Sequence, residues 1–186
     1  SGQALFNISD NVAWDRIVWS EKWRDLAANA DAICFGSLAQ RGDISRQTIQ
    51  KFIIATPASS LKVFDMNLRA PFYAPDTLIQ SLELANVLKL NDQELCVIAN
   101  ILSLSGETID ILKSLQDDYQ ISSIALTQGA AGAMLLRHSE AVRVPSVPTT
   151  VVDTVGAGDA FTAALMIGLL NEQPLKEIAH FATGVS

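Results

Sequence analysis

Short apolar runs alternate with longer amphipathic ones along most of this chain, and that alternation limits the fold more than any other feature. The runs Ala32–Gly36, Lys62–Asp65, Val87–Leu90, Ser123–Thr127, Ala133–Arg137 and Ala141–Val144 have strand length and apolar content. Between them, helical periodicity covers Trp14–Asn29, Ser45–Thr56, Asp76–Leu84, Asn91–Ser103 and Thr108–Tyr119, and the helices Ala157–Leu170 and Leu175–Gly184 close the chain. Strands separated by helices of this length imply right-handed βαβ crossovers. The expected fold is therefore α/β: a doubly wound, mainly parallel sheet with helices on both faces. Gly129 and Gly132 mark a tight turn after Thr127, and the last two strands read as a hairpin. At 186 residues the chain is long enough for one cored domain, and no repeat or linker divides it.

Composition narrows the partners. Hydrophobic residues make up 49% and charged residues 18%, as in a globular chain. A net charge of −7 and the lack of any Lys/Arg cluster argue against nucleic acid or an anionic membrane as partner. The longest nearly apolar run, Ala160–Leu170, is too short to span a bilayer, so a soluble, cytoplasmic protein is expected. Cys34 and Cys96 sit far apart among apolar neighbours and are expected to be buried, reduced thiols. His138 and His180 are isolated, and no Cys/His spacing suits zinc.

The segment Val151-Val-Asp-Thr-Val-Gly-Ala-Gly-Asp-Ala-Phe161 places two glycines and an acid at the start of a helix. A helix start offers unpaired N–H groups and the positive end of a dipole, and Gly156 and Gly158 let an anion approach the backbone. A carboxylate repels a phosphate that is merely bound. Asp159 makes chemical sense if it takes a proton from an attacking hydroxyl while the helix start holds the phosphoryl group. Two other glycine motifs fit poorly. The third glycine of a dinucleotide fingerprint is replaced by Phe161, and the Gly-Lys-Ser/Thr of a Walker A loop is missing. Glycines that merely allow close packing, with Asp159 as a cap, remain the plain alternative.

In open α/β sheets ligands bind beyond the carboxyl ends of the strands. Polar clusters occupy those places here: Gly36-Ser37, Asp65-Met-Asn67-Leu-Arg69, Asn91-Asp-Gln-Glu94 and Thr127-Gln-Gly129. Asp65, Asn67 and Arg69 alternate and would share a face if the strand continued, although an internal Asp65–Arg69 pair is an alternative. Asn91 with Glu94 also has the spacing of a helix capping box. Thr127-Gln-Gly129-Ala-Ala-Gly132 is equally compatible with an ordinary turn. Trp14, Trp19 and Trp23 fall in one amphipathic segment. Trp19 and Trp23 lie at i, i+4 and favour core packing over a sugar-stacking platform.

Asp153-Thr-Val-Gly-Ala-Gly-Asp159, followed by Ala-Phe, resembles the C-terminal signature of the ribokinase-like (PfkB) carbohydrate kinases. The resemblance implies that Gly156, Ala157 and Gly158 form an anion hole and that Asp159 is the base for the sugar hydroxyl. It further implies a monovalent cation such as K+ near Asp153 and the Val155 carbonyl. Phe64-Asp-Met-Asn-Leu-Arg69 is similar to the Asp-x-Asn-x-Arg stretch of the fructokinases in this family, which puts Asp65, Asn67 and Arg69 on the side facing phosphate and substrate. Asn91 and Glu94 look like the family's Asn-x-x-Glu motif, in which the Glu holds the shell around Mg2+ and the triphosphate. Thr127, Gly129 and Gly132 resemble the turn that touches the nucleotide phosphates. The expectation is ATP-dependent phosphorylation of a sugar hydroxyl, with fructose preferred and ribose, 2-keto-3-deoxygluconate and nucleosides open. A non-catalytic nucleotide-binding module on the same fold is the rival. Family members are usually longer. The resemblance therefore implies a single kinase domain over residues 1–186 that is incomplete at both ends, with most of the lid absent and Ser1–Phe6 as the tail of a lid strand. It also implies a homodimer in those relatives that pair through the lid.

Overall fold

The structure, a computed structural model, describes residues 8–147 and 155–186. Six strands form one sheet in chain order: β1 (Ala32–Gly36), β2 (Leu61–Asp65), β3 (Val87–Asn91), β4 (Ser123–Thr127), β5 (Ala133–Arg137) and β6 (Glu140–Val144). β1 to β4 pair parallel, whereas β4–β5 and β5–β6 are antiparallel. Helices α2 (Asp43–Ala55), α3 (Pro75–Leu84), α4 (Asp92–Ile101) and α5 (Thr108–Tyr119) make the crossovers. After β6 come α6 (Ala157–Leu170) and α7 (Leu175–Val185), and a short α1 (Glu21–Ala28) precedes β1.

Strand alternation divides the core in two. Phe35, Phe64, Leu88, Leu90, Ile124 and Leu126 face one way, against Ile53 of α2, Leu78 and Leu82 of α3, Ile98 of α4 and Leu112 and Leu115 of α5. Val63, Val87, Ala125 and Leu135 face the other way, against Phe161, Ala164 and Leu165 of α6 and Ile178, Ala179 and Ala182 of α7. The expected α/β sheet with helices on both faces is therefore present. Its faces are covered in succession, first by the crossovers and then by the closing helix pair. The α6–α7 contact depends on Gly168, where a Cβ would lie 2.7 Å from Ile178 Cγ1.

Two expectations need correction. Trp14–Asn29 is not one helix: Ala13–Asp15 forms a single 3-10 turn, and α1 begins only at Glu21. The turn is held by Arg41, which donates to both carboxylate oxygens of Asp15 at 2.7 and 2.8 Å, a long-range contact that no local pattern encodes. Trp19 thus lies outside any helix. Trp23 meets Phe52 edge-on at 5.9 Å, and Trp14 is 42% exposed. The cysteines are exposed rather than buried. Cys34 lies on β1, which among the described residues pairs only with β2, while α6 packs over β2. Protein packed around its sulfur still pushes the thiol up to about 11, with a further push from Asp65 and a smaller one from Asp159. Among the described residues, no helix is long and apolar enough to cross a membrane.

Candidate active site

Helix α6 starts where the sequence places it. Gly156 is its N-cap in the left-handed region (φ 84°), a conformation that costs glycine little, and among the described residues no side chain caps the helix there. Its carbonyl accepts the first helical bond, from Ala160 N–H at 2.8 Å. Ala157, Gly158 and Asp159 make up the first turn, and the Asp159 carboxylate is exposed. Backbone N–H groups and one solvent-facing carboxylate thus share a helix start, the combination required for holding an anion and moving a proton beside it. Val155 is 61% exposed just before this turn. Asp153 lies outside the described residues.

Beneath α6 lies a polar cluster in an otherwise apolar layer. Asp65 and Lys89 are register partners on β2 and β3, and Lys89 Nζ donates to Asp65 Oδ1 at 3.0 Å. The Thr162 hydroxyl of α6 donates to Asp65 Oδ2 at 2.7 Å. Asp65 is 6% exposed, Lys89 6% and Thr162 4%. Both Asp65 oxygens are therefore spent inside the protein, and the cation beside Asp65 is Lys89, not Arg69. Lys89 and Thr162 were not singled out in the sequence. The available signal was a lysine inside the apolar run Val87–Leu90.

Past Asp65 the extended alternation stops. Asn67 has φ 37°, so Asp65, Asn67 and Arg69 do not form one strand face. Asn67 lines a hollow of about 300 Å³ with Trp14, Ser37 and Leu38 at the carboxyl end of β1. Arg69 is exposed. The loop is tied down by Glu94. Its Oε1 accepts from Leu68 N–H at 2.8 Å and its Oε2 from Asn91 N–H at 2.8 Å, while Asn91 Oδ1 accepts from Glu94 N–H at 2.9 Å. The capping box is thus real, and it reaches across to the loop after β2. Among the described residues, no group of three or more His, Cys, Asp or Glu side chains is arranged to hold a metal.

At the end of β4, the Thr127 hydroxyl lies 3.4 Å from the Leu90 carbonyl. Gly129 (φ 53°) and Gly132 (φ 93°) form the turn into β5. Open space surrounds Gly129, whereas a Cβ on Gly132 would sit 2.0 Å from the Val144 carbonyl oxygen. Gly132 is therefore required by the crossing of the chain, and Gly129 alone leaves its side open. Asn67, Asn91, Glu94, Thr127 and Gly129 lie at or just beyond the carboxyl ends of β2, β3 and β4, and α6 meets β2 and β3 at Asp65 and Lys89.

The sequence matches the family described as pfkB family carbohydrate kinase over residues 2–186. It is 31% identical over 171 residues to the sugar kinase PH1459 of Pyrococcus horikoshii, covering 89% of this chain and 51% of that protein. It is 32% identical over 139 residues to a fructokinase of Klebsiella pneumoniae, covering 72% of this chain and 44% of that one. The crystal structure of PH1459 in complex with ATP superposes with a TM-score of 0.80 at 29% identity, covering 100% of this chain and 60% of that one. Aminoimidazole riboside kinase from Salmonella enterica, complexed with aminoimidazole riboside and an ATP analog, gives 0.69 at 25% identity, over 83% of this chain and 54% of that one. The chain spans about half the length of the curated relatives it matches.

Proposed function

The chain belongs to the pfkB family of carbohydrate kinases, and from that premise we propose that the protein carrying it transfers the γ-phosphoryl group of ATP to a sugar hydroxyl. One observation carries the reading: an exposed carboxylate, Asp159, stands in the first turn of a helix whose N-cap is a left-handed glycine. Asp159 takes the hydroxyl proton. The N–H groups at Gly156–Asp159 stabilise charge developing on the transferring group, at a geometry fixed before reaction. The open turn at Gly129 and the Thr127 hydroxyl lie on the nucleotide side, and Asn67 and Arg69 on the side of the acceptor. A K+ ion beside Val155 and Asp153 belongs to the same reading.

Mg2+ would neutralise charge on the β- and γ-phosphates. Glu94 spends both oxygens on backbone N–H groups, so these residues suit a metal that arrives on the triphosphate and meets Glu94 through water. Glu94 itself keeps the loop after β2 in register with the start of α4. Fructose is the preferred acceptor, on the strength of Phe64–Arg69 and of the fructokinase similarity. Ribose, 2-keto-3-deoxygluconate and nucleosides are the competing acceptors.

The test is ADP release from Mg·ATP with fructose, ribose, glucose, 2-keto-3-deoxygluconate and adenosine in turn. One acceptor should dominate, and Asp159→Asn should retain ATP binding while kcat falls by about 10³ or more. Near-normal turnover in that variant removes Asp159 from the chemistry.

A further inference from the structure

We propose that Lys89 is a positioning residue for this reaction, fixing the first turn of α6 from beneath and placing a buried positive charge against it. The inference rests on the phosphoryl-transfer reading and adds a residue to it. A lysine in the middle of a buried strand is costly unless paired, because its charge has left water. Lys89 is paired with Asp65, its cross-strand neighbour in register, at 3.0 Å. An apolar pair of similar volume would serve stability as well or better, so stability does not account for the choice.

Position does. A Cβ added to Gly158 would lie 3.2 Å from Lys89 Nζ. The ammonium therefore occupies the space beside the residue that precedes Asp159, where a side chain would otherwise stand. The other end of the pair holds the same helix one turn later: Asp65 Oδ2 accepts from Thr162, whose hydroxyl is also 2.9 Å from the Gly158 carbonyl. Strand β2 thus holds α6 at Thr162, and β3 places its ammonium beside Gly158. The N-cap residue itself, Gly156, is left-handed and has no side chain to add to that hold. The pair is neutral as a whole, and its positive end is the one against Gly158. In a site shielded from water, that end favours negative charge developing at the helix start. Gly158 consequently has two reasons to lack a side chain, one on the ligand side and one on the Lys89 side.

The test compares Lys89→Met with the unaltered protein by steady-state kinetics, Mg·ADP calorimetry, thermal unfolding and amide hydrogen exchange. Expected are a kcat about 10- to 100-fold lower, less than the loss of a direct oxyanion donor, KM for ATP and sugar within about threefold, and Mg·ADP affinity likewise unchanged. The carboxylate of Asp65 loses its counter-charge and global stability falls, so exchange at Asp159–Thr162 should rise about tenfold or more beyond the rise in the central strands. Should Lys89→Met fail to fold, Thr162→Val takes its place. It keeps the ion pair and removes one tether, with a kcat loss of about three- to tenfold and the same local exchange. Unchanged kcat with unchanged exchange at α6 overturns the proposal. So does a kcat loss accompanied by an equal rise in exchange throughout the sheet, which would mark Lys89 as a structural residue only. If the unaltered protein phosphorylates no sugar, the functional reading fails, and exchange at α6 still decides whether Lys89 holds the helix.

Discussion

Replacing Glu94 by Gln tests whether its carboxylate is a clamp in its own right or a group kept for metal. The side chain is 5% exposed, and its two oxygens accept from Leu68 and Asn91 N–H groups, each at 2.8 Å. Gln keeps one acceptor and turns the other atom into a donor facing an N–H. One bond to a charged acceptor is lost and one shielded donor is left unpaired, a cost of about 1.5–3 kcal/mol. For a chain of this size that lowers the unfolding temperature by about 3–12 °C. Glu94→Ala loses both bonds and should cost about twice as much. The assay is urea unfolding in EDTA without nucleotide, with the slope unchanged and only the midpoint moving. Amide exchange at Leu68 and Asn91 should accelerate in parallel. A Gln variant within about 0.5 kcal/mol of the parent under these metal-free conditions would refute the clamp, since that is the range of substitutions that touch nothing important.

Two further outcomes follow from the packing. Cys34 has its thiol raised from 9.0 to about 11, so the neutral form dominates at all lower pH. In a Cys96→Ser background, its disulfide-exchange labelling at pH 7.5 should be about tenfold slower than that of a thiol titrating at 9, because the more basic thiolate offsets part of its scarcity, and should climb about tenfold per pH unit; a rate matching free cysteine refutes this. Gly168→Ala gains up to about 1 kcal/mol of helix propensity, but its methyl would stand 2.7 Å from Ile178 Cγ1. Overpacking at about 1–3 kcal/mol wins, so denaturant unfolding should show a net loss, and a net gain would mean that α7 shifts freely.

Much of the scaffold was legible because its signals are local. Each strand was found within a residue or so from its apolar run, and α5 and α6 were bounded as their periodicity suggests. The capping box at Asn91 and Glu94 also shows in the spacing, since both partners lie in one turn. What escaped depends on contacts between distant segments. The Asp15–Arg41 pair turns the chain at Ala13–Asp15 and cuts short a helix that the tryptophans suggested. Lys89 reads as an interruption in an apolar run until β2 and β3 are in register and Asp65 stands beside it. The exposure of Cys34 depends on what pairs with β1 and covers it, and composition carries no trace of that. The left-handed Asn67 likewise breaks an alternation that the letters Asp-x-Asn-x-Arg invite one to continue.

The chain-order sheet has a consequence for assembly. From β2 to β6, every described strand pairs with the strand made just before it, so these hydrogen-bonding edges can be completed in the sequence of synthesis. The exception is the layer that carries Asp159. Helix α6 emerges after all six strands and closes over Asp65 and Lys89, whose charges stay hydrated until it docks. Burying that pair and setting the reactive carboxylate in place are therefore one event, so a nascent chain acquires its candidate base only when the second face of its sheet is sealed.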